Sequence, residues 1–323
     1  MSHTLRAMFP ALCLALILPA TAQDPVPAKD ATATQAPVER EPLPARSQED
    51  AMALERQVPK AEQRQIQAGS AAFLALWKPA NRDTPKGVAI LVPGEDETAD
   101  WPIAVGPLRR RLPDAGWSSL SLTLPDPWDD GAIARAEEPS PTAATDKTDP
   151  DKKGDTPVPA NPAPTAEAEA KAATERAAAQ AEQEKAIAER IYARLDAAIA
   201  FAQQNKAPSI VLIGHGSGAY WAARYLSDHA SPAAQRLVMV AASEPRDATP
   251  SLLEITTTLK VATADLVYKD QEVARRAAQQ RLDASKRSRA SRFTQLFLVA
   301  VPGNSADEQE QMFRRVRGWL DSQ

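Results

Sequence analysis

Residues 211–220 read VLIGHGSGAY. A run of four apolar residues ends in a glycine-rich turn, and a helix-forming stretch follows from Ser217. The spacing predicts a strand at Ile210–Ile213, a tight turn over Gly214–Gly216 and a helix over Ser217–Ser227. A strand that turns sharply into a helix lifts the residue at the bend above the end of its sheet. That is where a nucleophile is placed in the G-x-S-x-G elbow. Whether this bend carries a nucleophile decides between an enzyme and a binding module.

Flanking segments show the same alternation. Val88–Val92, Trp117–Leu122, Leu237–Ala241, a stretch near Leu259–Val267 and Leu296–Val301 read as strands. Ile103–Leu112, about 271–289 and Gln309–Leu320 read as helices. Alternating strands and helices imply a mostly parallel central sheet with helices on both faces. Phe73–Trp77 reads as a further strand, joined to Val88–Val92 by a short Pro-containing turn and expected to pair with it antiparallel. Residues 47–68 read as a short helical region, with Ser47 and Asp50 as a capping-box-like start and Gly69 as its stop.

Aromatic residues mark where a core can form. None occurs between Gln23 and Ala72 or between Asp129 and Ile191, and all six tryptophans lie outside those gaps. Segments without large apolar side chains cannot offset the entropy of ordering. Residues 23–46 are therefore expected to be a flexible Pro-rich tether, and 132–164 a disordered low-complexity insertion. Residues 165–205 form a long Ala-rich, coiled-coil-like helix by composition. Its apolar stripe, Ile187, Ile191, Leu195 and Ile199, is confined to the second half. The first half is expected to project into solvent.

The N-terminus has the form of a secretory signal over 1–22. Arg6 precedes the apolar run Ala11–Leu18, and Ala20-Thr21-Ala22 supplies a cleavage site before Gln23. The expectation is a periplasmic or secreted protein without a transmembrane segment in its mature form. Cys13 is the single cysteine and leaves with the signal, so no disulfide and no thiol chemistry is expected. A formal charge of −4 gives no case for nucleic acid.

The pieces VAILVPG (88–94), VLIGHGSGA (211–219), VYKDQEV (267–273), LFLVAVPGN (296–304) and RRVRGWL (314–320) together resemble the α/β-hydrolase fold superfamily. GEDETADWP, LRRRLPDAGW and IGHGSGAYWAARYL are more narrowly similar to a bacterial family of exported α/β-hydrolase-like proteins of unknown function. The resemblance covers roughly 47–130 and 185–323 and implies an oxyanion loop after Val92. It also implies a nucleophile in the elbow, an acid at Asp270 and a histidine in the loop after Leu298.

Against that pattern, Gly214 and His215 occupy the first two elbow positions and Gly216 the nucleophile position. Ser217 falls one residue late. A shifted frame that makes Ser217 the nucleophile puts His215 and Ala219 where the elbow needs glycines. The elbow residue adopts a positive φ that is strained for a side chain and nearly free for glycine. The loop expected to carry histidine has Asn304 and Ser305. His215 lies within the elbow, and His229 ends the following helix as a polar terminal residue. Glu95, Asp96, Glu97 and Asp100 in the oxyanion loop would oppose a developing negative charge.

Gly214, Gly216 and Ala219 match the dinucleotide spacing G-x-G-x-x-[GA], but late in the chain and without the expected ribose acid. The acidic cluster reads as a solvated loop rather than a calcium loop. The basic residues at 275–292 read as a solvated helix. Tyr220, Trp221 and Tyr225 read as core packing.

The sequence thus predicts a tethered hydrolase-like domain that lacks a working Ser-His-Asp triad and serves as a binding or interaction module in the cell envelope, for an unknown small ligand or envelope protein, without cofactor or metal. The expected pocket region is Gly94, Glu95, Gly216, Ser217, Asp270 and Asn304, outside the carboxyl ends of the strands. Two alternatives stand. One is an active esterase- or amidase-like enzyme using Ser217 with Asp270. The other is a structural envelope module acting through its long helix.

Overall fold

A computed structural model describes residues 45–126, 166–229, 232–246, 248–288 and 292–323. The signal segment 1–22, the tether up to residue 44 and the insertion 132–164 lie outside the described residues.

Eight strands form one sheet in the order β1 (Gln63–Ala68), β2 (Ala71–Lys78), β4 (Trp117–Leu122), β3 (Gly87–Val92), β5 (Ile210–His215), β6 (Ala234–Val240), β7 (Ala262–Tyr268), β8 (Phe293–Leu298). Strands β4 to β8 are parallel neighbours, while β2 runs antiparallel to both β1 and β4. Strand β3 is buried along its whole length, and β5 up to Gly214. Continuous apolar runs such as VAILV suit strands covered on both faces. Helices α3 (Ala166–Gln204), α4 (Ser217–Asp228) and α5 (Leu252–Thr258) cover one face. Helices α2 (Val105–Arg111) and α7 (Ser305–Asp321) cover the other.

The structure departs from the sequence expectations in four places. First, 47–68 is not one helical region. Helix α1 (Arg46–Gln57) is followed by β1, which turns into β2 at Gly69 with φ +59°. Only Ile66 of β1 is buried, so this polar edge strand lacks the alternating apolar signal. Second, Ser47 and Asp50 do not cap α1, whose N-cap is Ala45 with no side-chain bond. The Ser47 N–H instead donates to Asp126 Oδ2 at 2.7 Å, a distant carboxylate satisfying the helix start.

Third, β2 and β3 run in opposite directions but do not pair, because β4 lies between them, with Ala75 opposite Leu122 and Ile90 opposite Leu120. Fourth, α5 was not anticipated, although Ser251 and Glu254 form a complete capping box at its start.

Helix α3 behaves as its stripe predicts. Ile191, Leu195 and Ile199 are buried in the core with Ala188, Ala198 and Ala202. The residues described between 170 and 182 are exposed. At 1.5 Å per residue the helix is roughly 58 Å long, with the exposed stretch preceding the buried one. Among the described residues no helix is long and apolar enough to cross a membrane. Helix α6 (Glu272–Ser288) is not wholly a solvated basic helix. Arg281 is buried and donates to Asp265 Oδ2 through Nε at 3.0 Å and Nη2 at 2.8 Å.

Candidate functional site

Strand β5 ends at His215 and α4 starts at Ser217, leaving Gly216 as the whole bend. Its φ of +55° and ψ of −128° lie in a region that L side chains seldom occupy. The elbow is therefore built, and its apex is glycine. The bend is fixed by its own backbone: Gly216 N–H donates to Val240 O at 3.1 Å, and Gly216 O accepts from Ser243 N–H at 3.1 Å.

The neighbouring glycines settle the frame. A Cβ on Gly214 would meet the Ala219 backbone at 2.4 Å, and one on Gly218 would meet Pro93 O at 2.2 Å. Both positions need glycine because strand, loop and helix approach closely. With Gly214 and Gly218 as the flanking pair, the nucleophile position is Gly216. There a Cβ would find only Glu97 Oε1 and Ser243 Oγ, each 3.8 Å away. A side chain has room at the apex and none is present.

Ser217 follows the apex as the first residue of α4. Its side chain is nearly buried, and Oγ accepts the Glu95 backbone N–H at 2.8 Å. Glu97 reaches into the same space. Its Oε2 accepts the Gly94 N–H at 2.8 Å, and its Oε1 lies 2.6 Å from His215 Nδ1. The loop amides of an oxyanion hole must face the site of the developing negative charge. Here the amides of Gly94 and Glu95 are already bonded to side chains of the chain itself. His215, expected only as an elbow residue, is held by Glu97 rather than aimed at a hydroxyl.

Acids at 95–100 had read as a solvated loop, and half of them turn inward. Besides Glu97, Asp100 Oδ1 accepts from Arg109 Nε at 3.0 Å and Arg110 Nη1 at 2.7 Å. Buried Arg109 also pairs with Glu62. Of the remaining predicted positions, Asp270 is exposed in the turn after β7. Asn304 is the N-cap of α7: its Oδ1 accepts from Asp307 N–H at 3.1 Å, and its Nδ2 donates to Asp307 Oδ2 at 2.7 Å. His229 caps the end of α4, stacked on Tyr225 with ring centroids 5.1 Å apart. None of the three meets the elbow through a hydrogen bond. Among the described residues no cluster of His, Cys, Asp or Glu is arranged to hold a metal.

A cleft of about 390 Å³ opens beside the elbow, between the middle of α3, the start of α4 and the loop before α5. Its walls include Leu124, Ile187, Ile191 and Trp221, with Glu95 and Arg246 as charged members. Of the predicted pocket residues only Glu95 lines it; Gly94, Gly216 and Ser217 cluster next to Glu95, and Asp270 and Asn304 stand apart. Burial and the charge of Asp96 push the Glu95 carboxyl above its usual range, with Arg46 and Arg246 opposing. Trp221 is both a core residue, as expected, and a wall of the cleft. The contribution of α3 to the cleft was not read from sequence. Its signal was the apolar stripe, which starts at Ile187, one turn beyond the exposed residues.

Solved structures share this architecture. A dienelactone hydrolase from Anabaena variabilis superposes with a TM-score of 0.52 at 10% identity, covering 81% of this chain and 98% of that one. An esterase from Pyrococcus furiosus gives 0.51 at 12% identity, over 80% and 89%. A protein of unknown function from Agrobacterium tumefaciens gives 0.50 at 12% identity, over 80% and 94%. At these identities the likeness is one of fold, and it establishes the α/β-hydrolase architecture. No curated protein matches the chain. With the hydrolase architecture and the glycine-apex elbow in place, the match over residues 5–322 to the family described as protein of unknown function (DUF3530) shows that the chain belongs to that family.

Proposed function

We propose that this chain is a non-catalytic relative of the α/β hydrolases that binds a ligand or partner in the cell envelope. The observation that carries the reading is the Glu97 carboxylate. It occupies the space beside the vacant apex, bonded to Gly94 N–H and close to His215 Nδ1. A carboxylate there takes the donors that an acyl-transfer transition state would need. Gly216 supports the same reading, since a side chain would fit at the apex and glycine relieves a strain tolerated only for chemistry. Export is supported by the signal-like N-terminus.

The test is fluorophosphonate labelling of the purified mature protein alongside turnover of short acyl esters. The expected result is no labelling and no turnover from a folded protein. Labelling at Ser217 that disappears in Ser217→Ala, together with turnover, would overturn the reading in favour of a shifted-frame serine hydrolase. Fractionation of cells should place the chain outside the cytoplasm, with a new N-terminus near Gln23.

A further inference from the structure

We infer that the outer edge of β8 pairs with the same edge of a second copy of this chain, antiparallel about a two-fold axis at Gln295. The inference concerns assembly and is independent of the chemistry of the elbow. Four observations carry it.

The edge offers the hydrogen bonds of a strand. Among the described residues β8 pairs with β7 alone. Thr263 N–H donates to Arg292 O and Lys269 N–H to Leu298 O, each at 2.9 Å. Backbone groups alternate from side to side along a strand. The even-numbered residues therefore bond to β7, and the N–H and C=O groups of Phe293, Gln295 and Phe297 point outward. The open row ends at Val299, whose N–H and C=O are held by the Gln311 side-chain amide at 2.7 and 3.3 Å.

The edge is also unguarded. Residues 293–301 read FTQLFLVAV, with no charge and no proline. Natural edge strands carry such residues to prevent pairing. The opposite edge, β1, reads QRQIQA and has Arg64. Large apolar side chains are exposed here as well: Phe297 on the strand, Val299 just beyond it, and Val273 at the start of α6, which packs on β8. Among the described residues only Met52 and Ile103 are exposed in this way elsewhere.

The strand complements itself. A two-fold axis at Gln295 sets Phe293 opposite Phe297 of the partner subunit, and the reverse, with each pair exchanging both backbone bonds. Phe293, Gln295 and Phe297 share one face of the strand, so the rings meet as cross-strand aromatic pairs, a favourable arrangement. An axis shifted to Leu296 would need the Val299 backbone, which Gln311 already holds.

The charges favour antiparallel pairing. Where β8 begins, Lys286, Arg287 and Arg292 are exposed cations set against Asp283. Where β8 ends, Asp270, Glu272, Asp307 and Glu308 outnumber Lys269, Arg275 and Arg276. The two-fold axis brings the basic end of each copy to the acidic end of the other, whereas parallel pairing would set like ends together.

The test is sedimentation velocity of the mature protein from about 1 to 100 µM, with hydrogen–deuterium exchange at both ends of that range. The expected result is a monomer–dimer equilibrium that stops at two copies, with a dissociation constant of about 10 µM or tighter. Exchange over 293–297 should be slower at the higher concentration. Phe297→Lys should weaken the dimer by at least about tenfold with unchanged circular dichroism. Phe297→Pro, which removes an outward N–H and no bond to β7, should do the same. Met52→Lys, on α1, should leave the dimer as it is.

A protein that stays monomeric across the range overturns the inference and leaves the edge to a strand of another protein. A dimer that both Phe297 variants leave unchanged overturns it too, as does one whose 293–297 exchange does not slow. Assembly that continues past two copies overturns the two-fold pairing and the inference with it. Should the Phe297 variants lose their fold, exchange in the unaltered protein decides by itself.

Discussion

Ser217 Oγ and the Glu95 amide are joined by a hydrogen bond of 2.8 Å that ties the first turn of α4 to the loop after β3. The serine that sequence offers as a substitute nucleophile is the acceptor in this bond. Ser217→Ala leaves a part-buried N–H without its partner, a loss of about 1–3 kcal/mol. The midpoint of urea unfolding should fall accordingly, with the denaturant slope unchanged.

Gly216 and Gly218 should respond very differently to a side chain. Gly216→Ser places its Cβ 3.8 Å from the nearest atoms and pays only for the positive φ, about 1–3 kcal/mol. It should fold and melt at a lower temperature. Gly218→Ala drives a Cβ to 2.2 Å from Pro93 O and should cost more than about 4 kcal/mol or prevent folding. Thermal melts of the two variants side by side provide the check. Equal losses would contradict the assignment of Gly216 as the apex.

Two carboxylates should give opposite pH signatures. Burial and Asp96 raise the Glu95 pKa above 4.5 on folding. The folded chain then binds this proton more tightly than the unfolded chain, so the Glu95 contribution to stability declines as pH climbs from 4.5 through the higher folded value. Glu95→Gln should stabilise the protein at neutral pH, and the gain should vanish well below 4.5. For Glu62, burial acts upward, but Lys78 and Arg109 outweigh it and hold the carboxyl below 4.5. Its contribution is present above 4.5 and is lost as pH falls through the lower folded value. Glu62→Gln should therefore destabilise at neutral pH. Urea midpoints of both variants across the acid range test the signs.

The Asp265–Arg281 pair predicts a strong single-residue effect. Asp265 is fully buried; burial raises its pKa, and Arg281 acts against that rise. Arg281→Met removes the counter-charge and should cost about 3–5 kcal/mol at neutral pH. The loss should shrink as the pH is lowered towards 3.8, because a protonated Asp265 needs no cation. The double variant with Asp265→Asn should recover most of the stability, measured by the same unfolding assay.

How much of this was legible depends on the range over which each signal acts. The elbow was legible because its constraints are local. Gly214 answers to a close approach within a few residues of chain and Gly216 to the bend itself, and the standard frame could be set against the shifted one from the letters alone. Strands β3 and β5 were legible because continuous apolar runs have few other uses in a soluble domain. Strand β1 was not, since an edge strand buries one residue in its length, Ile66, and its neighbours look like helix surface. The order of β2, β3 and β4 is a question of long-range pairing that no local pattern encodes.

At the site, the vacancy at 216 could be read, but its consequence could not. That Glu97 bonds to Gly94 and approaches His215 depends on a contact 118 residues apart in sequence. Asp270 and Asn304 matched motif positions, but Asp270 is an exposed turn residue and Asn304 caps α7. Arg281 looked like one more surface cation because its partner, Asp265, sits in the middle of an apolar strand.

Helix α3 is anchored unevenly, and this has a mechanical consequence. Its buried contacts begin at Ala188 and run to Ala202, while the exposed stretch before them carries one wall of the cleft. That wall is a cantilever clamped at one end, with a stiffness set by the helix's own hydrogen bonds rather than by a core beneath it. A molecule lodged along it would brace the free arm against the body. The brace would be felt as slowed amide exchange in 177–187, ahead of the residues that the core already holds.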